Sequence, residues 1–192
     1  MSMEMAAFFD KLAPDWDNSP QKYKTREKLT EMMALPPNSV IADAGCGKGV
    51  MIEHLLKTGP KKIIAIDVSG EMIRLAKELF IDERIEYIQG DLYTVTLPIL
   101  DIVIFFNSYP HFIDKGKLAN KLADVIKKGG LLIIAHSLSK KDINGCHSGK
   151  NVSALSVPLE NAEIEADKFS DYFILDSFVD NEEMYFVRLI RR

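Results

Sequence analysis

A doubly wound α/β fold, with a mostly parallel sheet and an antiparallel edge on its C-terminal side, is the architecture this sequence predicts. Three observations carry it. Short runs rich in Ile, Val and Leu alternate with longer charged segments of helical spacing. Residues 40–49, VIADAGCGKG, lead an apolar strand into a cluster of glycines and then a helix. Ile102-Val103-Ile104-Phe105-Phe106 has no polar face, as a strand buried on both sides of a parallel sheet requires.

Taken in order, Ser19 followed by Pro20 reads as an N-cap with proline in the first helical position. That helix carries Tyr23, Leu29, Met32 and Met33 and stops at Pro36-Pro37. Ser39 to Asp43 is the first strand. Val50, Ile52, Leu55 and Leu56 recur at helix spacing until Gly59-Pro60, and Lys62 to Asp67 is the second strand. Ser69 caps a helix with Met72, Ile73, Leu75, Ala76 and Leu79 on one side, and Arg84 to Gln89 alternates as a third strand. Leu100 to Phe106 is the fourth. Asp114 caps a helix through Leu118, Leu122, Val125 and Ile126, Gly129-Gly130 closes it, and Leu131 to Ala135 is the fifth strand. Phe173 to Val179 and Met184 to Ile190, joined by the polar turn Asp180 to Glu183, form an antiparallel hairpin.

Length and composition narrow the function. The 192 residues suit one domain with a sizeable core, and no repeat or Pro/Gly/Ser-rich linker divides them. Within residues 1–192 the expected parts are an N-terminal helical cap (1–36), a cofactor-binding core (37–135), an acceptor-side insertion (136–170) and the C-terminal hairpin (171–192). Lys and Arg total 24 against 28 Asp and Glu, so a net charge of −4 draws the chain to neither nucleic acid nor an anionic membrane. Two cysteines, Cys46 and Cys146, make no disulfide framework and no C-x-x-C pair. With no apolar run of the roughly 18 residues a membrane span needs, and no signal-peptide pattern in Met1 to Asp10, a cytoplasmic location is expected.

The glycine turn carries the chemistry. Gly45, Gly47 and Gly49 remove the Cβ atoms that would block a ligand at the carboxyl end of a parallel strand, where open α/β sheets bind ligands. Position 50 is Val, so the dinucleotide fingerprint G-x-G-x-x-G/A is not met. Asp43, two residues before the first glycine, is a poor neighbour for a pyrophosphate and a good one for a cation. S-adenosylmethionine has an ammonium and no phosphate. Asp67 ends the second strand, 18 residues after Gly49, where an acid accepts hydrogen bonds from ribose hydroxyls. Gly90-Asp91 follows the third strand, so Asp91 would meet the exocyclic amine of an adenine with Leu92 and Met72 beside the ring. The structural alternative for each is local: glycines can serve packing alone, and an Asp at a strand end can cap the next helix. Cys46 is a small neighbour in this turn rather than a nucleophile, because no base is adjacent in sequence.

The D-A-G-C-G-K-G turn, the Asp67 strand end, Q-G-D at 89–91 and K-K-G-G-L-L-I-I at 127–134 resemble class I S-adenosylmethionine-dependent methyltransferases of the small-molecule type. The resemblance covers about residues 37–135. It implies a Rossmann-like seven-stranded sheet in the order 3-2-1-4-5-7-6 with strand 7 antiparallel. It also implies that Asp43, Gly45, Cys46, Gly47 and Gly49 surround the methionine part of the cofactor, Asp67 with Val68 the ribose, and Gly90, Asp91, Leu92 and Met72 the adenine. Residues 8–17, F-F-D-K-L-A-P-D-W-D, are similar to the segment that lies over the cofactor in such enzymes, and there Trp16 and Tyr23 would help close the site.

The acceptor is expected over the ends of the fourth and fifth strands, at Asn107-Ser108-Tyr109-Pro110-His111 and His136-Ser137-Leu138-Ser139. Asn107 is assigned to the cofactor, and Tyr109, His111, His136, Asn144 and His147 to the acceptor. Asn107 to Pro110 is similar to the Asn-Pro-Pro-Tyr/Phe motif of methyltransferases acting on amino groups of nucleic acids and proteins, but Ser108 replaces the first proline. Ser139 with Asp142 makes a capping box, so Lys140 to His147 is a short helix. His111 and His136 are the candidate catalytic bases; metal ligation and loop capping are the other roles open to the histidines, and no metal is assigned. His54, mid-helix, is expected at the surface. The acids of the segment 139–170, Glu160, Glu163, Glu165 and Asp167, suggest an exposed amphipathic helix alongside Val152, Leu155 and Val157. Methyl transfer to a small-molecule acceptor by in-line displacement is the leading function. A non-enzymatic binder of the same cofactor and an NAD-dependent oxidoreductase are the alternatives.

Overall fold

The computed structural model describes residues 3–16, 23–147 and 154–192, which fold as two compact units, Met1–Leu97 and Pro98–Arg192. The Ser19-Pro20 cap and Val152 lie outside the described residues. Seven strands form one sheet in the order β3-β2-β1-β4-β5-β7-β6, which is the strand order the resemblance implies. No described helix is long and apolar enough to cross a membrane.

In the N-terminal unit, β1 (Val40–Ala44), β2 (Lys62–Asp67) and β3 (Ile85–Gln89) are parallel, with Asp43 opposite Ala65 and Asp67 opposite Gln89. Helices α1 (Met3–Leu12), α2 (Tyr23–Met33), α3 (Ile52–Lys57) and α4 (Gly70–Leu79) complete it. α4 begins where Ser69 Oγ accepts from the Met72 N–H at 3.1 Å, and it buries Met72, Ile73 and Ala76 while Arg74 pairs with Glu71 and Glu78 outside. α3 starts only at Ile52, after a tight turn. At φ +83° the backbone of Gly49 favours glycine, and a Cβ there would also crowd Ile52 Cδ1 at 2.7 Å and the Phe80 ring at 3.1 Å. His54, expected at the surface, is buried instead, with the Tyr23 ring of α2 packed against it at a tilt of 46° and ring centroids 4.6 Å apart.

In the C-terminal unit, β4 (Leu100–Phe106) and β5 (Ile126–His136) are parallel, and β6 (Phe173–Asp180) and β7 (Tyr185–Arg191) add an antiparallel hairpin through β7. α5 (Lys115–Val125) lies between β4 and β5 in the chain, capped by Asp114 through the Lys117 N–H at 2.8 Å. β5 begins five residues earlier than the sequence suggests. Gly129-Gly130 is not a helix stop but part of a bulge in which residues 127–130 face Asp101 alone. Gly130 is required there, since a Cβ would meet the Asp101 carbonyl oxygen at 2.7 Å, and Lys127 forms an ion pair with Asp101 across the bulge. The insertion also differs from expectation. α6 (Lys140–His147) is capped by Ser139, whose Oγ accepts from the Asp142 N–H at 3.1 Å and donates to Asp142 Oδ2 at 2.6 Å, but the exposed acidic helix is replaced by a short α7 (Ala162–Asp167) whose Glu165 is completely buried. Leu155, Leu159 and Phe169 are buried with it, so the segment packs as core.

Candidate functional site

In the N-terminal unit the strand-to-helix turn brings most of the predicted cofactor residues together. Gly45, Gly47 and Gly49 all have positive φ, and the Gly45 and Cys46 N–H groups donate to the Ile66 carbonyl of β2 at 2.8 and 3.0 Å. That ties the turn to the strand that ends in Asp67. Asp67 is buried, and its carboxylate accepts from the Gly47 N–H at 2.9 Å and from the Ser69 N–H at 2.9 Å. Burial holds its pKa above the ordinary carboxylate value, opposed by these N–H groups and that of Val68.

Asp43 is different. It is 1% exposed at the end of β1, and neither carboxylate oxygen has a hydrogen-bond partner. Burial first, and the Asp67 charge second, push its pKa up to about 7. A buried carboxyl group without a donor costs several kcal/mol of desolvation, and a cation or N–H donor would remove that deficit. Cys46 beside it is buried, donates to the Gly47 carbonyl at 3.5 Å, and has its thiol pushed well up by burial and the two carboxylates, as suits an inert neighbour.

Around this centre, Met72 Sδ and the Trp16 ring each come within 3.9 Å of where a Gly47 Cβ would stand. Phe9 meets Trp16 edge-on at 5.7 Å. Gly90 donates to the Asp67 carbonyl at 2.8 Å, and Asp91 caps the following turn through the Tyr93 N–H at 3.0 Å, with Leu92 buried next to it. Tyr23, expected to close the site, lies instead on α3, where its hydroxyl donates to Glu53 at 3.0 Å and accepts from Lys57 at 2.6 Å. Asp10 was not singled out by sequence reasoning. Its Oδ1 accepts from Ser69 Oγ at 2.6 Å and from the Glu71 N–H at 3.1 Å, and nothing in the local pattern of α1 marks it.

In the C-terminal unit the expected acceptor residues are engaged in internal bonds. Asn107, in the left-handed region at φ 52°, accepts from the Ser137 N–H at 2.9 Å and donates to Ser137 Oγ at 3.1 Å, joining the ends of β4 and β5. Tyr109 is fully buried and donates to Glu165 at 2.7 Å, while Lys115 sits over its ring at 3.4 Å; it belongs to the core rather than to an open acceptor surface. Burial lowers the Lys115 pKa to about 7, opposed by the nearby Glu165 carboxylate. Asn144 exchanges both of its amide bonds with Leu159, donating at 3.0 Å and accepting at 2.8 Å, so it pins the insertion. His111 is buried with Nδ1 2.9 Å from the Leu155 carbonyl; since a carbonyl only accepts, Nδ1 carries the proton and Nε2 is the basic nitrogen. His136 is buried at the end of β5 with its ring edge-on to Tyr185 at 6.0 Å. The His147 side chain lies outside the described residues. Among the described residues no group of three His, Cys, Asp or Glu is placed to hold a metal ion.

Residues 42–134 match the model of a methyltransferase domain. Over 104 residues the chain is 31% identical to a 2-methyl-6-phytyl-1,4-hydroquinone methyltransferase of Synechocystis, covering 53% of this chain and 33% of the relative. Over 113 residues it is 33% identical to a malonyl-(acyl-carrier protein) O-methyltransferase of Acetivibrio thermocellus, covering 57% of this chain and 40% of the relative. The chain thus spans between a third and a half of the length of these curated relatives. Among solved structures it is similar to a chain of the complex between the Haloferax volcanii Trm112 methyltransferase activator and a methyltransferase, at a TM-score of 0.82 and 15% identity over 95% of this chain and 97% of that one. It is also similar to the N-methyltransferase NodS of Bradyrhizobium japonicum bound to S-adenosyl-L-homocysteine, at a TM-score of 0.75 and 15% identity over 98% of each chain. At such identities the likeness is one of fold. The part of the chain that matches the methyltransferase domain contains the glycine turn, Asp67 and Asp91, and the seven-stranded order β3-β2-β1-β4-β5-β7-β6 frames it.

Proposed function

We propose that this protein transfers the methyl group of S-adenosylmethionine to a small-molecule acceptor. The observation that carries the reading is Asp43, a buried carboxyl with no internal partner at the end of β1, where the cofactor's ammonium supplies both the positive charge and the N–H donors it lacks. Asp67 would take the ribose hydroxyls on the lone pairs left by Gly47 and Ser69, and Asp91 with Leu92 and Met72 would hold the adenine. The glycine turn lets backbone reach the ligand, and Trp16 covers that turn. When bound, the cofactor supplies a methyl group on a sulfonium, whose positive charge is lost on transfer.

The chain's own residues then have to align the acceptor and keep water out. We assign His111 and His136 to the acceptor side, and Nε2 is the basic nitrogen of His111 because Nδ1 donates to the Leu155 carbonyl. A small acceptor is favoured by the net charge of −4 and by a relative named for a hydroquinone substrate. Calorimetric titration with S-adenosylhomocysteine, with NAD in parallel, tests the cofactor. Micromolar binding of the first alone is expected; no binding by the folded, ligand-stripped protein overturns the reading.

A further inference from the structure

We propose that Asp10 is the latch that holds the N-terminal segment, residues 3–16, against the glycine turn and that, through Ser69, it sets the carboxylate of Asp67. The inference rests on the turn being the cofactor site and names a positioning residue for it.

The Ser69 hydroxyl has a single proton, and it goes to Asp10 at 2.6 Å. Its oxygen is thereby turned to accept from the Met72 N–H, which is the N-cap bond of α4. The same Asp10 oxygen accepts the Glu71 N–H, so a carboxylate from α1 sits at the positive end of α4 and satisfies an orphan donor there. Ser69 in turn donates its backbone N–H to Asp67, whose other oxygen holds Gly47. Asp10, Ser69, Asp67 and Gly47 therefore form one continuous chain of hydrogen bonds from α1 to the glycine turn. The far end of the segment returns to that turn: Lys48 Nζ donates to the Pro14 carbonyl at 3.5 Å, and Trp16 lies over Gly47. If the segment moves, both the cover over Gly47 and the outer support of Asp67 move with it.

Trp16 is the one tryptophan of the sequence, so its fluorescence reports the segment directly. The full-length chain is compared with Asp10→Ala and Asp10→Asn, first without ligand by Trp16 emission and acrylamide quenching, then by calorimetric titration with S-adenosylhomocysteine. Asp10→Ala is expected to red-shift the emission, increase quenching and weaken binding by about tenfold. Asp10→Asn keeps an oxygen that can accept from Ser69 and Glu71, and should recover most of both signals. Unchanged emission and quenching in a folded Asp10→Ala protein overturns the latch, and shifted emission with unchanged affinity overturns its link to Asp67. Failure of the unaltered protein to bind S-adenosylhomocysteine defeats the cofactor reading instead, and the ligand-free Trp16 measurement still decides whether Asp10 holds the segment.

Discussion

The polar residues Asn107, Tyr109 and Asn144 of the C-terminal unit and Asp43 of the N-terminal unit are treated in opposite ways. In the C-terminal unit Asn107 is bonded to Ser137, Tyr109 to Glu165, and Asn144 to Leu159. In the N-terminal unit Asp43 is more deeply buried than Asn107 or Asn144, yet its carboxylate has no hydrogen-bond partner. A polar residue whose bonding capacity is filled internally is scaffold, and its removal should destabilise. One kept buried without a partner weakens the ligand-free fold and is explained by what it binds.

The sharpest way to break this contrast is Asp43→Asn. Cofactor affinity should fall by about 3–5 kcal/mol, the scale for removing one member of a buried charge pair, measured with S-adenosylhomocysteine. The ligand-free protein should at the same time resist urea better at pH 8. Retained affinity would remove Asp43 from the site.

The pH dependence of stability follows from the same group. Asp43 has a folded pKa near 7 against an ordinary value of 3.8, so between these values the folded chain holds a proton that the unfolded chain has released. Its contribution therefore favours the fold below about pH 4 and is lost progressively as pH rises to about 7, by up to about 4 kcal/mol. Urea midpoints across that window should show the loss, and Asp43→Asn should flatten it.

Glu165→Ala probes the other unit. Glu165 accepts from Tyr109 and from the Glu160 N–H and pairs with Lys168 at 3.0 Å. Its loss should cost about 2–4 kcal/mol of unfolding free energy while S-adenosylhomocysteine affinity stays the same. Asp67→Ala should weaken binding by about 1.5–3 kcal/mol and, because Asp67 also holds the Gly47 and Ser69 N–H groups, destabilise the fold as well.

The smallest effect concerns an exception. Tyr185, opposite His136 in the β5–β7 pairing, is fully buried and its hydroxyl has no hydrogen-bond partner. Burial and the charges of Glu165 and Asp180 keep it protonated. Tyr185→Phe should stabilise the fold by about 1 kcal/mol in urea unfolding. A loss of stability instead would show the hydroxyl to be part of the scaffold.

Much of the fold was legible because its signals are local. Lys62–Asp67 and Leu100–Phe106 are strands with the bounds their apolar runs suggest, and Ser69, Asp114 and Ser139 are caps because a short polar side chain bonds an N–H about three residues on. The turn from Asp43 to Gly49 was legible for the same reason, since backbone freedom is a property of the glycines themselves. Gly129-Gly130 misled because two glycines mark a helix end and a bulge alike, and only the opposing Asp101 distinguishes them.

Local patterns in the chain fix the order and kind of the elements and which carboxylates stand at strand ends, because periodicity, capping and turn chemistry act over a few residues. Which polar groups are satisfied depends on packing between distant segments. Tyr109 meets Glu165, His54 is covered by Tyr23, and Asp10 reaches Ser69 across contacts that no local pattern encodes. Asp43 stands out as a binding group only when the packed surroundings offer it no donor. The physical reason is that a residue type sets what a side chain can bond, whereas the fold sets whether a partner is within reach.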